Sequence, residues 1–114
     1  QMRAVIDLSR DILSRHAIAA RDVVGHSDVA PDRKLDPGEF MDWRRLAEAG
    51  IGLWPDAATD PSENPLKDLA AYGYDVSARH VVSAFQRHFR PACIDGLADA
   101  HTCRIIAGLC AAIT

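Results

Sequence analysis

Apolar positions near the start of the chain recur as Val5, Leu8 and Ile12, with Ile6 and Leu13 beside them. This i, i+3, i+7 stripe predicts an amphipathic helix from Arg3 to His16. The β-branched pair Val23-Val24, closed by Gly25, reads instead as a brief buried strand over Arg21 to Gly25. Ser27 to Gly38 holds two prolines, a glycine and several Asp and Ser residues, the composition of a loop. Phe40, Trp43, Leu46 and Ala47 then return to helical spacing, and Gly50 stands where a helix is closed.

A polar segment with three prolines, Pro55 to Pro65, interrupts the pattern. Three further helices are predicted beyond it. Asn64 caps the first, Pro65 takes its opening position, Leu66, Leu69 and Ala70 face inward, and Gly73 ends it. Ser77 is the expected cap of the second, whose stripe is Val81, Val82, Phe85 and Phe89 and whose stop is Pro91. Asp95-Gly96 makes a turn, Asp99 caps the last helix, and Ile105, Ile106, Leu109 and Ile113 line it. The expected fold class is mainly α: a partial α/β domain (helix, short strand, loop, helix) followed by a small three-helix bundle. The expected divisions are residues 1–55, a linker at 56–64, and residues 65–114.

The chain has 114 residues, enough for one ordinary domain or two very small ones. Apolar residues make up 48% and charged residues 25%, which excludes a disordered tail. A net charge of −3 argues against a nucleic-acid surface. No apolar run approaches the roughly 20 residues needed for a membrane span, and the opening residues lack a signal-peptide layout. Cys103 and Cys110 are seven apart on one predicted helix, about 10 Å along its axis and too far for a disulfide. Either could pair with Cys93, but an odd count leaves a thiol free, and small buried thiols are the simpler reading. A lone strand cannot satisfy its own backbone, so the first part reads as a piece of a larger α/β domain.

The chemistry concentrates in GHSDVAPDRKLDPG, residues 25–38. Lys34 is one of only two lysines, the other being Lys67. A His at a strand end and Asp36 ten residues later, across a loop stiffened by Pro31 and Pro37, suit zinc, which accepts imidazole nitrogen and carboxylate oxygen. A hydrolytic zinc needs three protein ligands and an open position for water. On spacing alone, His26 could equally be a hydrogen-bonded histidine, and Lys34 and Asp36 a solvated pair.

The whole string resembles the signature of the family 2 N-acetylmuramoyl-L-alanine amidases, zinc enzymes that cut the amide joining muramic acid to L-alanine in peptidoglycan. The matching residues are Gly25, His26, Ser27, Ala30, Pro31, Arg33, Lys34, Asp36, Pro37 and Gly38, with Phe40 and Trp43 fitting the helix that follows. The resemblance implies that His26 and Asp36 are zinc ligands and that Lys34 polarises the scissile carbonyl and steadies its oxyanion. The family's first zinc-binding His and its catalytic Glu find no match here. His16, the only other histidine before the motif, is better explained by the helix dipole. The expectation is an incomplete Zn²⁺ site and a chain that by itself is not a competent amidase.

From Leu66 onward the sequence resembles the three-helix peptidoglycan-binding domain appended to cell-wall hydrolases. The residues that carry this are Leu69, Tyr72-Gly73-Tyr74, Ala84-Phe85-Gln86-Arg87-His88-Phe89, and Asp95-Gly96 with Asp99 and Thr102. Tyr72, Tyr74, Arg87 and His88 could line a sugar or peptide groove, although packing or solvated surface accounts for each one singly. His80, His88 and His101 have no partner spacing for a second metal.

The reading is therefore part of a zinc amidase joined to a wall-binding unit, with peptidoglycan or muropeptides as partners and the cell envelope favoured over the cytoplasm. The alternative is a non-catalytic peptidoglycan-binding module, or a fragment that associates with another chain. In either case, exposed apolar faces of the first part could support a homo-oligomer.

Overall fold

The structure, a computed structural model, describes residues 1–114. Its first helix, α1, spans Met2–Arg15. Ile6 is the buried point of its apolar stripe and meets Trp43, Leu46 and Ile51 in a small core. Leu8 stays 61% exposed, and Ile12 and Ile18 are also open to solvent.

The expected strand at Arg21 to Gly25 is absent, and with it the α/β character of the first part: the fold is helix and loop throughout. Ala20–Asp22 forms a single 3-10 turn. Val23 and Gly25 do adopt extended backbone. The Val23 amide, however, donates back to Ala20 O, and no second strand lies alongside to complete a ladder. β-Branched residues here bring extended dihedrals without a sheet. His26 consequently opens a four-residue helix, α2 (His26–Val29), where the sequence suggested a strand end and a loop.

Helix α3, Trp43–Glu48, is shorter than the apolar spacing suggests. Asp42 caps it by accepting from Arg45 N, which leaves Phe40 outside the helix and 95% exposed. Gly50 follows the helix at φ 85°, a left-handed conformation that costs glycine little.

Helices α4 (Pro65–Tyr72), α5 (Val81–Phe89) and α6 (Ala100–Ala112) form the second part. Asn64 and Asp99 cap α4 and α6 by accepting from Lys67 N and Thr102 N. In α4, Leu69 and Tyr72 are buried, whereas Leu66 and Ala70 face solvent, contrary to expectation. The three helices enclose Leu69, Tyr72, Tyr74, Val81, Phe85, Phe89, Ile105, Ile106 and Leu109. Fully buried Gln86 fastens the chain between α5 and α6. Its side-chain amide donates to Asp95 Oδ1, Leu97 O and Thr102 Oγ1, and its carbonyl accepts from the Asp95 and Gly96 amides. That network gives a physical role to the Gln, Asp-Gly and Thr positions of the sequence pattern. Arg90 reinforces it with a two-pronged contact to Asp99, at 3.0 and 2.9 Å. The Thr102 amide and then this guanidinium hold the Asp99 carboxyl down at about 2.

Trp54 touches both apolar clusters. The radius of gyration, 13.6 Å, is close to the roughly 13 Å of a folded unit this long, so the two parts lie against each other. The proline-rich connection is tied down as well: the Ala58 and Ser62 amides donate to the Arg104 and Cys103 carbonyls of α6. Gly108 makes this approach possible, because any Cβ there would run into the Asp56 carbonyl. Gly108→Ala should gain up to about 1 kcal/mol of helix propensity but lose about 1–3 kcal/mol to overpacking. The expected net result is a lower urea midpoint, and faster proteolysis at residues 56–62 would show that the connection has lifted off α6.

Candidate functional site

The motif residues sit on α2 and the turns after it. Ala30 O accepts from both the Arg33 and Lys34 amides, which curls the chain back on itself. The Ser27 amide then donates to Asp36 O at 2.8 Å, setting Asp36 beside the first residue of α2. As a result His26 Nδ1 lies 3.3 Å from Asp36 Oδ2, with the two side chains 50% and 65% exposed. The Asp36–Pro37 peptide bond is cis. Gly25 closes the underside of this arrangement. A Cβ there would come within 2.6 Å of the Pro37 ring and 3.3 Å of Trp43, so the turn admits only glycine without rearrangement.

The exposed His26–Asp36 pair can be tested as a zinc donor set. Nitrogen and oxygen ligands at about 2.0–2.1 Å from a tetrahedral zinc stand roughly 3.3–3.4 Å apart. The observed 3.3 Å equals that edge and exceeds the usual length of a hydrogen bond between such groups. The pair therefore fits two corners of a zinc site. No cluster of three or more His, Cys, Asp or Glu side chains suited to a metal occurs in the structure.

Lys34 occupies a different wall. It lines a groove of about 470 Å³ between the motif loop and α5, together with Asp32, Arg33, His80, Ser83 and Arg87. The Asp32 carboxylate accepts from the Arg79 and His80 amides at 3.0 and 2.7 Å, and these donors hold its pKa below the usual range. This contact ties the motif loop to the turn before α5, whose N-cap, His80, has no side-chain cap; the Ser77 cap that the sequence suggested is not formed. Ser77 instead bonds Asp75.

Beneath the pair lies a buried anchor. Asp28 Oδ2 accepts from the Gly25 amide at 2.8 Å and from His88 Nδ1 at 2.7 Å, while its Oδ1 accepts from the Tyr74 hydroxyl. The Asp28 and His88 side chains are 4% and 3% exposed. Trp43 stacks on the His88 ring at 3.9 Å, and His88 Nε2 has no hydrogen-bond partner. Burial first, then the neighbouring Asp28, pushes the Tyr74 hydroxyl well above 10, and burial raises Tyr72 to about 12. Tyr72 also binds the first part: its hydroxyl donates to Arg21 O, and Arg21 Nη2 donates to Tyr72 O at 2.6 Å. Tyr72, Tyr74 and His88 thus belong to the joint between the two parts. Of the four residues considered for a groove, only Arg87 lines the one beside Lys34.

Sequence reasoning missed Asp28 and Asp32, and it offered His88 to a groove where the structure buries it against Asp28. Asp28 and Asp32 stand inside the quoted motif, but nothing in their spacing names partners 46 to 60 residues away. His16 follows the last turn of α1, exposed. Cys93, Cys103 and Cys110 are all free; burial raises the Cys103 and Cys110 thiols.

Comparison with known proteins gives matches of three kinds. Residues 1–39 match the family model for N-acetylmuramoyl-L-alanine amidase. The chain is 43% identical to the N-acetylmuramoyl-L-alanine amidase AmiD of Escherichia coli, over 90% of its own length and 44% of that protein's. It is 49% identical over 44 residues to the 1,6-anhydro-N-acetylmuramyl-L-alanine amidase AmpD of the same organism, covering 39% of this chain and 20% of AmpD. Among solved structures, E. coli AmiD bound to the substrate anhydro-N-acetylmuramic acid-L-Ala-D-gamma-Glu-L-Lys superposes with a TM-score of 0.84 at 40% identity. That match covers 96% of this chain and 50% of AmiD. AmpDH3 of Pseudomonas aeruginosa, in complex with anhydromuramic pentapeptide, gives 0.84 at 36% identity over 93% of this chain and 50% of its own. The chain thus spans about half the length of AmiD and of AmpDH3, and its match to AmpD covers a fifth of that protein.

Proposed function

We propose that these residues form part of an N-acetylmuramoyl-L-alanine amidase, acting on peptidoglycan or its muropeptides. The observation that carries the reading is the 3.3 Å His26–Asp36 pair within a motif that matches the family. His26 and Asp36 would hold Zn²⁺, which when bound supplies a Lewis acid and an activated water. The pair gives two of the three donors that hydrolytic zinc uses. Lys34 is exposed and without an ion-pair partner, free to place its ammonium against the oxygen of the scissile carbonyl. Residues 1–55 and 65–114 serve as amidase segment and wall-binding bundle, joined by the 56–64 connection. A substrate in the wall places the protein in the cell envelope. No helix is long and apolar enough to cross a membrane.

The test is product analysis in the gene product that carries these residues. Incubation with zinc and a muramoyl-L-Ala-γ-D-Glu peptide is expected to release a peptide with a free L-alanyl amino terminus. Lys34→Ala should lower kcat by about 10²–10³-fold, the cost typical of a lost oxyanion contact. Cleavage of a glycosidic bond, or undiminished turnover in Lys34→Ala, would oppose the reading.

A second reading, association with another chain, is favoured by the exposed Leu8, Ile12, Ile18 and Val24 of the first part. Size exclusion decides it: a concentration-independent monomer removes it.

A further inference from the structure

We infer that Asp32 is a positioning residue for Lys34: it ties the loop that carries Lys34 to the backbone of the second part, just ahead of α5. The inference rests on the amidase reading, and it gives the second part a share in the chemistry besides any hold on the wall.

Little else holds the loop at this point. Pro31 is buried, but Asp32, Arg33, Lys34 and Leu35 are all exposed. The Arg33 and Lys34 amides bond only to Ala30 O, within the loop itself. Among residues 31–35, Asp32 alone hydrogen-bonds to another part of the chain. Its Oδ2 accepts from the Arg79 amide at 3.0 Å and its Oδ1 from the His80 amide at 2.7 Å. Two oxygens on two consecutive amides fix the orientation of the loop as well as its distance, and bonds to an ionised carboxylate are stronger than neutral ones. The same amides hold this carboxyl below its usual range, so both oxygens accept at neutral pH.

The anchor itself is firm. Arg79 and His80 lead into α5, whose Val81, Phe85 and Phe89 lie in the core of the second part. Near the other end of α5, His88 holds Asp28 of α2. The motif is therefore fastened at both ends of this helix, and Lys34 stands two residues past the Asp32 tie, lining the same groove as His80. The zinc pair is seated differently, because the Ser27 amide sets Asp36 beside His26 without help from Asp32. Loss of the Asp32 tie should thus release Lys34 and leave the two metal donors in place. Misplacing a group by about 1 Å can cost on the order of 100-fold in rate.

The test is a double-mutant cycle in the gene product that carries these residues, with the muramoyl-L-Ala-γ-D-Glu peptide as substrate. Asp32→Ala is expected to lower kcat by about tenfold while KM changes by less than about twofold. In a Lys34→Ala background the same substitution should cost less than about twofold, because the residue it positions is gone. Asp32→Asn keeps one accepting oxygen and should recover part of kcat, whereas a pure charge effect would leave the Asn and Ala variants equally slow. On the 114-residue chain, Asp32→Ala should lower the backbone NMR order parameter at Lys34 from about 0.85 to below about 0.6, with the zinc response of His26 unchanged. An unchanged kcat, a loss that persists without Lys34, equal rates for the Asn and Ala variants, or a Lys34 amide as ordered as in the parent overturns the inference and leaves the amidase reading standing. A parent protein that releases no alanyl peptide removes that reading, and the inference with it.

Discussion

Asp28→Ala is expected to destabilise the fold by about 3–5 kcal/mol, enough to lower the melting temperature by at least about 10 °C. The alanine removes no exposed charge and opens little volume. It orphans three buried donors at once: the Gly25 amide, the Tyr74 hydroxyl and the His88 Nδ1–H. Each unsatisfied buried donor costs about 1–3 kcal/mol, and the three sit too deep for water to replace the carboxylate without rearrangement. Asp28→Asn should recover part of the loss, because one amide oxygen can still accept. Its NH₂ would face a donor, so recovery stays partial. Chemical denaturation of the three proteins measures this directly, and a cost below about 1 kcal/mol for the alanine would show that the joint is not fastened here. The same variant should loosen α2 against α5, because Asp28 links those two helices through His88.

The second large effect falls on metal rather than on stability. His26→Ala and Asp36→Ala should each weaken zinc binding by more than about 100-fold, since loss of a direct ligand exceeds the 10–100-fold typical of its hydrogen-bonded supporters. Without metal, the same variants should shift unfolding by no more than about 0.5 kcal/mol, as expected for exposed side chains away from the core. Competition against a chromophoric chelator gives the first quantity and urea unfolding the second. Opposite behaviour, a large stability loss with zinc affinity unchanged, would assign the pair a structural role. His26 and Asp28, two residues apart on α2, are thus predicted to separate cleanly, one serving the ligand and the other the fold.

Local rules made much of the second part legible in the sequence. The Asn64-Pro65 start, the Val81/Phe85/Phe89 stripe and the Asp99 cap depend on residues within a few positions, and each stands where the pattern placed it. The failures share a cause. Val23-Val24 favour extended backbone, but a strand exists only if a partner lies beside it, and no local feature reports that. Ser77 looked like the cap of α5, yet the N-cap is His80, and Asp32 from the other part holds the turn before it. Phe40 kept helical spacing with Trp43, but Asp42 begins the helix after it. The candidate site divides the same way. His26, Asp36 and Lys34 were readable because they lie on one short stretch of motif, and the loop brings His26 and Asp36 into contact. Asp28 and His88 take their meaning from a contact across the joint, and Arg87 from the groove it lines with the motif loop, which only the fold displays.

Zinc titration of the 114-residue chain, followed by the imidazole NMR signals of its five histidines, tests the central claim most directly. The account predicts a saturable shift at the His26 ring that disappears in Asp36→Ala, with His16, His80 and His101 responding far less. An unmoved His26 while another histidine binds the metal, or an undiminished His26 response in Asp36→Ala, would contradict it.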